Sequence, residues 1–295
     1  MAVSFDEFAR DKVRLIEERL RELVPAVDVE PRKLHECVHY SLFADAKRIR
    51  PIFVLAVARI FRADENDFAD AACTLEMVHT SSLILDDLPC MDNAALRRGK
   101  PANHVVFGED TAILAAMFLL NRAFGILAEH KRFFQGPALS AQLVAALSGA
   151  IGSEGIIGGQ IVDLSSQGKR IDLETLEFIH SRKTGALFSA AADMAALYAK
   201  VRESEHRAVL NFAKNLGLAF QISDDILDAT GDASAIGKDT QQDKDKVTFI
   251  TFCGLDGARS LANELIDTAV DSLKPLKARA DLLRSFAEFV RGRTR

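Results

Sequence analysis

The sequence predicts an all-α fold, and three observations predict it. Alanine and leucine are abundant at helical spacing, only 7 of the 295 residues are proline, and alternating β-branched runs are nearly absent. The first stripe is Phe8, Val13, Ile16 and Leu20, within the charged segment "MAVSFDEFARDKVRLIEERL". Pro31 and the acidic "RADENDFAD" read as the next breaks, followed by a loop from Pro89 to Gly108. The greasiest run, Ala112 to Leu120, is followed at once by Asn121 and Arg122; it reads as a buried helix too short to span a bilayer. Further breaks fall at "QGP" from Gln135, "SSQGKR" from Ser165, and Gly231 to Thr248. Between them, Leu173, Leu176, Phe178, Ile179, Leu187 and the alanines that follow outline one long helix. No Ser/Pro/Gly-rich linker is long enough to separate domains, so residues 1–295 read as one domain of roughly a dozen helices. No short-period repeat is visible.

Composition narrows the function classes. With 48% hydrophobic and 27% charged residues the chain is an ordinary soluble globular type, able to bury a large core. A net charge of -5 and the lack of a dense Lys/Arg run argue against nucleic-acid binding. Cys37, Cys73, Cys90 and Cys253 are scattered without a CxxC pair, which fits a reducing cytoplasm and argues against zinc. The N-terminus lacks the apolar core of a signal peptide and is too acidic for a transit peptide.

One longer-range echo carries chemistry: an aspartate pair ends an apolar helix twice, at "SLILDD" and at "FQISDDILD". In the second, Asp224 and Asp228 share a helical face and Asp225 lies three residues from Asp228. Like charges at that spacing repel, and the apolar flanks Phe220, Ile222, Ile226 and Leu227 raise the penalty by drawing them towards a core. Asp86, Asp87 and Asp92 repeat the arrangement, with Pro89 turning the chain out of the helix. A single such cluster reads best as a solvated acidic edge; two make a divalent-cation site the better reading. Oxygen ligands without His or Cys point to magnesium, which prefers few carboxylates plus water and phosphate oxygens.

Basic groups accompany the clusters. Arg97 and Arg98 follow the first, within "RRGKP", and guanidinium groups bind phosphate oxygens in a bidentate way. Lys47, Arg48 and Arg50 precede Pro51; Lys183 and Thr184 sit inside an otherwise helical stretch ahead of Gly185; Lys238 and Lys246 follow the second cluster. Each group alone is an ordinary charged surface. Together with two acidic clusters they provide for two separate diphosphates.

At this point the residues resemble the trans-type (head-to-tail) isoprenyl diphosphate synthases. The matching pieces are "HYSLFADAKRIRP", "MVHTSSLILDDLPCMDNAALRRGKP", "GGQIVDL", "HSRKTGALF", "FQISDDILD" and "GKDTQQDKDKVT", in family order over about Tyr40 to Thr248. The wording "SLILDDLPCMD" is most similar to bacterial geranylgeranyl diphosphate synthases. The resemblance implies antiparallel helices around a deep apolar cavity, usually in a homodimer, with the two aspartate motifs facing each other across its mouth. It implies that Asp86, Asp87, Asp92, Asp224, Asp225 and Asp228 hold magnesium on an allylic diphosphate. Arg97, Lys183, Thr184, Gln221, Lys238 and Lys246 would contact that diphosphate, and Lys47, Arg50, His79 and Arg98 would bind isopentenyl diphosphate. Outside the "MVHTSSL" motif His79 would read as a satisfied core histidine. The family usually has Gly-Gly where this chain has Asp45 and Ala46. Glycine lets backbone approach a phosphate closely, so this departure implies weaker or shifted isopentenyl diphosphate binding.

The resemblance also bears on product length. Ser82 and Ser81 stand fourth and fifth before Asp86, about one helical turn of roughly 5.4 Å deeper. Farnesyl-producing relatives typically place an aromatic there as a floor. Two serines leave that level open, with Met77 or Val78 as the next obstacle, so the expected product is geranylgeranyl diphosphate rather than farnesyl diphosphate. A class I terpene cyclase fits less well, because the aspartate motif is repeated and the chain has no Trp and only 2 Tyr. A non-catalytic synthase subunit fits less well because both motifs are intact.

Overall fold

The computed structural model describes residues 4–129, 136–230 and 247–293. Thirteen α-helices carry these residues: α1 (Phe5–Leu23), α2 (Arg32–Leu42), α3 (Ile49–Ile60), α4 (Glu65–Asp86), α5 (Asn103–Phe107), α6 (Glu109–Glu129), α7 (Pro137–Ile151), α8 (Ile156–Ser166), α9 (Leu173–Lys183), α10 (Gly185–Tyr198), α11 (Glu203–Thr230), α12 (Phe249–Ser272) and α13 (Asp281–Gly292). A 3₁₀ turn, Lys274–Ala280, joins the last two. Among the described residues the strands are two two-residue pieces, β1 (Leu96–Arg97) and β2 (Lys100–Pro101), paired antiparallel. The all-α expectation holds.

The sequence explains most helix boundaries. Ser4 closes a capping box with Glu7 at the start of α1, whose Phe8, Ile16 and Leu20 are buried as their spacing predicts. Pro137 begins α7, and Asp172 caps α9 by accepting from the Thr175 amide. α3 is buried on every face from Pro51 to Ala58, which makes it the centre of the bundle. There Phe53 meets Phe188 of α10, Phe212 of α11 and Phe286 of α13, at ring-centroid distances of 5.7, 6.0 and 5.3 Å.

Three boundaries differ from expectation. "RADENDFAD" is a loop only as far as Asp64, which accepts hydrogen bonds from the Asn66 and Asp67 amides and starts α4. Its acids favour a first helical turn, where carboxylates meet the positive end of the helix dipole. The apolar run of α6 extends beyond Leu120, so the whole helix is long and apolar enough to cross a membrane; just under half of that window, 44%, is buried inside the protein. The long helix expected from Leu173 through Leu187 is two helices, broken at Thr184, which caps both. The break coincides with a tight crossing: a Cβ on Gly217 of α11 would lie 3.1 Å from Gly185 Cα. Gly185 and Gly217 therefore let α10 and α11 touch backbone to backbone.

Candidate active site

The two aspartate clusters sit at the C-terminal ends of α4 and α11. That is the unfavourable end for a carboxylate, because the last carbonyls already present partial negative charge. Each cluster is accordingly held by cations. Asp87, only 2% exposed, accepts from Arg97 Nε at 2.9 and 3.1 Å and also from its Nη2. The return of Arg97 follows from the hairpin. Arg98 (φ 54°) and Gly99 (φ 73°) both take left-handed conformations between β1 and β2 and reverse the chain tightly. After Pro89 the backbone folds back on the helix end, with the Asp92 amide donating to Asp86 O at 2.8 Å. Asp86 lies 3.6 Å from Lys183 Nζ, which itself is 3.0 Å from Asp163 of α8. Burial pushes the Asp86 and Asp87 carboxyls above their ordinary range, against the pull of Lys183 and Arg97 respectively.

In the second cluster, Asp224 accepts from Arg293 Nη2 at 2.6 Å, and the Arg293 guanidinium lies 4.3 Å from the Phe220 ring centroid. Asp225 accepts at Oδ1 from Gln221 Nε2 at 3.0 Å, while its buried Oδ2 has no hydrogen-bond partner. Burial pushes Asp225 up to about 7, with Gln221 and then the Phe249 backbone amide opposing and Asp224 and Asp228 adding to the rise. Asp228 is exposed in the last turn of α11.

Two consecutive residues join the clusters. Lys183 reaches Asp86 of the first, and Thr184 donates to Gln221 Oε1 at 2.7 Å, which passes to Asp225 of the second. The helix break at Thr184 therefore brings both acidic motifs onto one mouth.

A cationic pocket adjoins them. Arg50 Nε is buried without a hydrogen-bond partner, its guanidinium is 5.7 Å from the Phe188 centroid, and burial lowers its pKa. Arg98 is likewise lowered by burial. His79 is held neutral, first by burial and then by Arg50, Arg98, Arg97 and Arg48. A desolvated guanidinium with an unpartnered N–H makes an anion seat. Lys47 is exposed beside it, as is Asp45, whose charge is felt by Arg98. Arg48 differs from its neighbours. It is 1% exposed and donates to Glu17 at 2.6 Å, Glu76 at 2.7 Å and Leu42 O at 2.6 Å. Its partners hold it in a left-handed conformation at the start of α3, so it braces the site from behind.

The donor set fits magnesium. Among the described residues no three His, Cys, Asp or Glu side chains converge on one point. Magnesium needs only one or two carboxylates beside phosphate and water, and the unpartnered Asp225 Oδ2 supplies an oxygen in search of a cation.

Comparison with known proteins places the chain in a family. Residues 31–281 match the polyprenyl synthetase family. The chain belongs to that family. It is 43% identical over 278 residues to the heterodimeric geranylgeranyl pyrophosphate synthase large subunit 1 of Arabidopsis thaliana, covering 92% of this chain and 74% of that one. It is 37% identical to the farnesyl diphosphate synthase of Bacillus subtilis, covering 99% of each. Among solved structures, an FPP/GFPP synthase from Zymomonas mobilis superposes with a TM-score of 0.88 at 34% identity, covering 98% of this chain and 100% of that one. A geranyltransferase from Helicobacter pylori, complexed with magnesium and isoprenyl diphosphate, does so at 0.86 and 30% identity, covering 98% and 97%.

Within this polyprenyl synthetase fold, the serines ahead of Asp86 take different positions. Ser81 is 3% exposed and donates to Ala116 O of α6 at 2.8 Å, whereas Ser82 lies on the partly open stripe with His79 and Asp86. Met77 and Val78 are buried one turn deeper. Lys238 and Lys246 lie outside the described residues. Sequence reasoning gave Asp163 no role although it stands in the quoted "GGQIVDL" motif, and it missed Arg293, a single charged residue far along the chain from Asp224 that no spacing rule marks.

Proposed function

We propose that this chain is a prenyltransferase that condenses isopentenyl diphosphate head-to-tail with allylic diphosphates, and that its main product is geranylgeranyl diphosphate. The observation that carries the reading is the Lys183–Thr184 junction, which ties both carboxylate clusters to one mouth beside a separate cationic pocket. Asp86, Asp87, Asp92, Asp224, Asp225 and Asp228 would hold magnesium, whose chemistry there would be to neutralise the allylic diphosphate as a leaving group. Lys183, Thr184 and Gln221 border that diphosphate, joined by Lys238 and Lys246, which follow the second cluster in the sequence. Arg97 turns from Asp87 to the same anion. Lys47, Arg50, Arg98 and neutral His79 seat isopentenyl diphosphate, and the exposed Asp45 weakens that seat by its charge. The allylic C–O bond ionises, the isopentenyl double bond attacks the cation, and the released diphosphate takes the proton lost. An apolar cavity below the mouth would keep water from the cation.

Chain length rests on Ser81 and Ser82. Serines here leave depth that an aromatic would close, with Met77 and Val78 below. Farnesyl diphosphate is the second reading, favoured by the full-length match to the Bacillus subtilis synthase and by Ser81 facing α6 rather than open space. Products of Ser81→Phe and Ser82→Phe, sized after elongation, decide between them. Shortening to fifteen carbons by either one supports the floor, and an unchanged spectrum from both removes it.

The reading extends to assembly and place. Residues 1–295 act as one domain. Ile113, Leu114 and Met117 of α6, with Val105 and Val106 of α5, leave an exposed apolar surface that suits a second copy of the chain. All four cysteines are free, in keeping with a reducing cytoplasm.

A further inference from the structure

Asp163 is an acidic residue at the site that belongs to neither aspartate cluster. It extends from α8, one turn after Gly159 and on the same helical face. Gly159 marks the point of closest approach to α9: a Cβ there would lie 2.7 Å from the Lys183 amide nitrogen and 2.9 Å from Arg182 Cβ. The crossing thus delivers the Asp163 carboxylate to the Lys183 ammonium at 3.0 Å. On its other side the same ammonium is 3.6 Å from Asp86, so it stands between two carboxylates and nearer to the one outside the clusters. His180, one turn before Lys183, is held neutral by burial, at about 4, and brings no second positive charge to Asp163.

An ammonium with a single strong acceptor closes on it; with two, it is shared. Remove Asp163 and the nearest acceptor left to Lys183 is Asp86, a carboxylate that a divalent cation also requires. With Asp163 present, Lys183 is anchored beside the mouth when Asp86 turns to another cation. Its remaining N–H donors then face outward for an anion.

We infer that Asp163 is a positioning residue that holds Lys183 off Asp86 and aims it at the substrate diphosphate. The inference rests on the reading of this site as a magnesium–diphosphate site. It is tested by calorimetric titration of the metal-bound protein with inorganic diphosphate, and by the magnesium concentration giving half-maximal elongation, in wild type, Asp163→Asn, Asp163→Glu, Lys183→Met and the double variant Asp163→Asn/Lys183→Met. Loss of one charge-assisted hydrogen bond predicts about tenfold weaker diphosphate binding, and a similar rise in required magnesium, for Asp163→Asn. Asp163→Glu restores both to within about threefold of wild type, since the carboxylate returns. In the Lys183→Met background the Asn substitution adds nothing, because the group it positions is gone. Asp163→Ser replaces the amide variant if that one does not fold, with the same expectations. Wild-type-like binding in the charge-removing variant, or additive losses in the double variant, overturns the inference. A wild-type protein that binds no magnesium–diphosphate at all overturns the site reading instead.

Discussion

The unpartnered oxygen of Asp225 makes the metal-free protein less stable as it becomes ready for metal. Consider Asp225→Asn, an isosteric change that keeps an oxygen for the Gln221 amide to donate to. In the folded protein the Asp225 carboxyl titrates at about 7, raised by burial from an ordinary 3.8. Between those values the folded state holds a proton that the unfolded state has lost. Raising the pH through this window therefore favours unfolding, and the penalty levels off above the folded value. The full shift corresponds to on the order of 4 kcal/mol, of which roughly 2–3 kcal/mol accrues between about pH 5 and pH 8. The amide variant does not titrate. In chelator, its stability advantage over wild type should widen by that amount from pH 5 to pH 8, about 3–5 °C in Tm on melting at the two pH values. Magnesium with inorganic diphosphate should raise the melting temperature of wild type and do little for the variant. A stability gap that does not change with pH refutes the reasoning, and a gap that narrows as pH rises refutes its sign.

Other outcomes follow from the same coordinates. Arg48→Met leaves buried Glu76 without its main cation and should cost about 3–5 kcal/mol in denaturant unfolding; a loss below about 1 kcal/mol contradicts the bracing role. Gly159→Ala forces α8 from α9 against backbone atoms and should destabilise by about 1–3 kcal/mol while raising KM for the allylic substrate. Unchanged stability and KM would show that the crossing is not tight. Leu114→Lys with Met117→Lys places two charges on the exposed face of α6 and should convert a dimer to a monomer in sedimentation, while a wild-type profile removes that face as the interface.

Much of this was legible in the sequence, for identifiable reasons. The aspartate pairs were readable because two acids at the end of an apolar helix carry a cost that local chemistry does not relieve. The α1 stripe of Phe8, Ile16 and Leu20 was readable because period and burial agree. What was hidden depends on tertiary neighbours. Nothing before Gly185 announces a helix break at Thr184; the hydroxyl bond to Gln221 and the contact between Gly185 and Gly217 make it. Three adjacent cations gave no sign that Arg48 turns inward to Glu17 and Glu76 while Lys47 remains exposed, because a turn into α3 sorts them. Ser81 and Ser82 looked equivalent by counting, yet a 100° rotation per residue sends the first to α6 and the second to the open stripe. Asp163 stood in the "GGQIVDL" motif without a role until the structure paired it with Lys183, and Arg293 became visible only as the partner of Asp224.

The most direct test of the central claim is one elongation. The protein is incubated with magnesium, farnesyl diphosphate and labelled isopentenyl diphosphate, and the products are sized. Wild type should give labelled geranylgeranyl diphosphate, and Asp86→Ala and Asp224→Ala none. Absence of labelled twenty-carbon product from wild type contradicts that claim, as does undiminished product from either carboxylate variant.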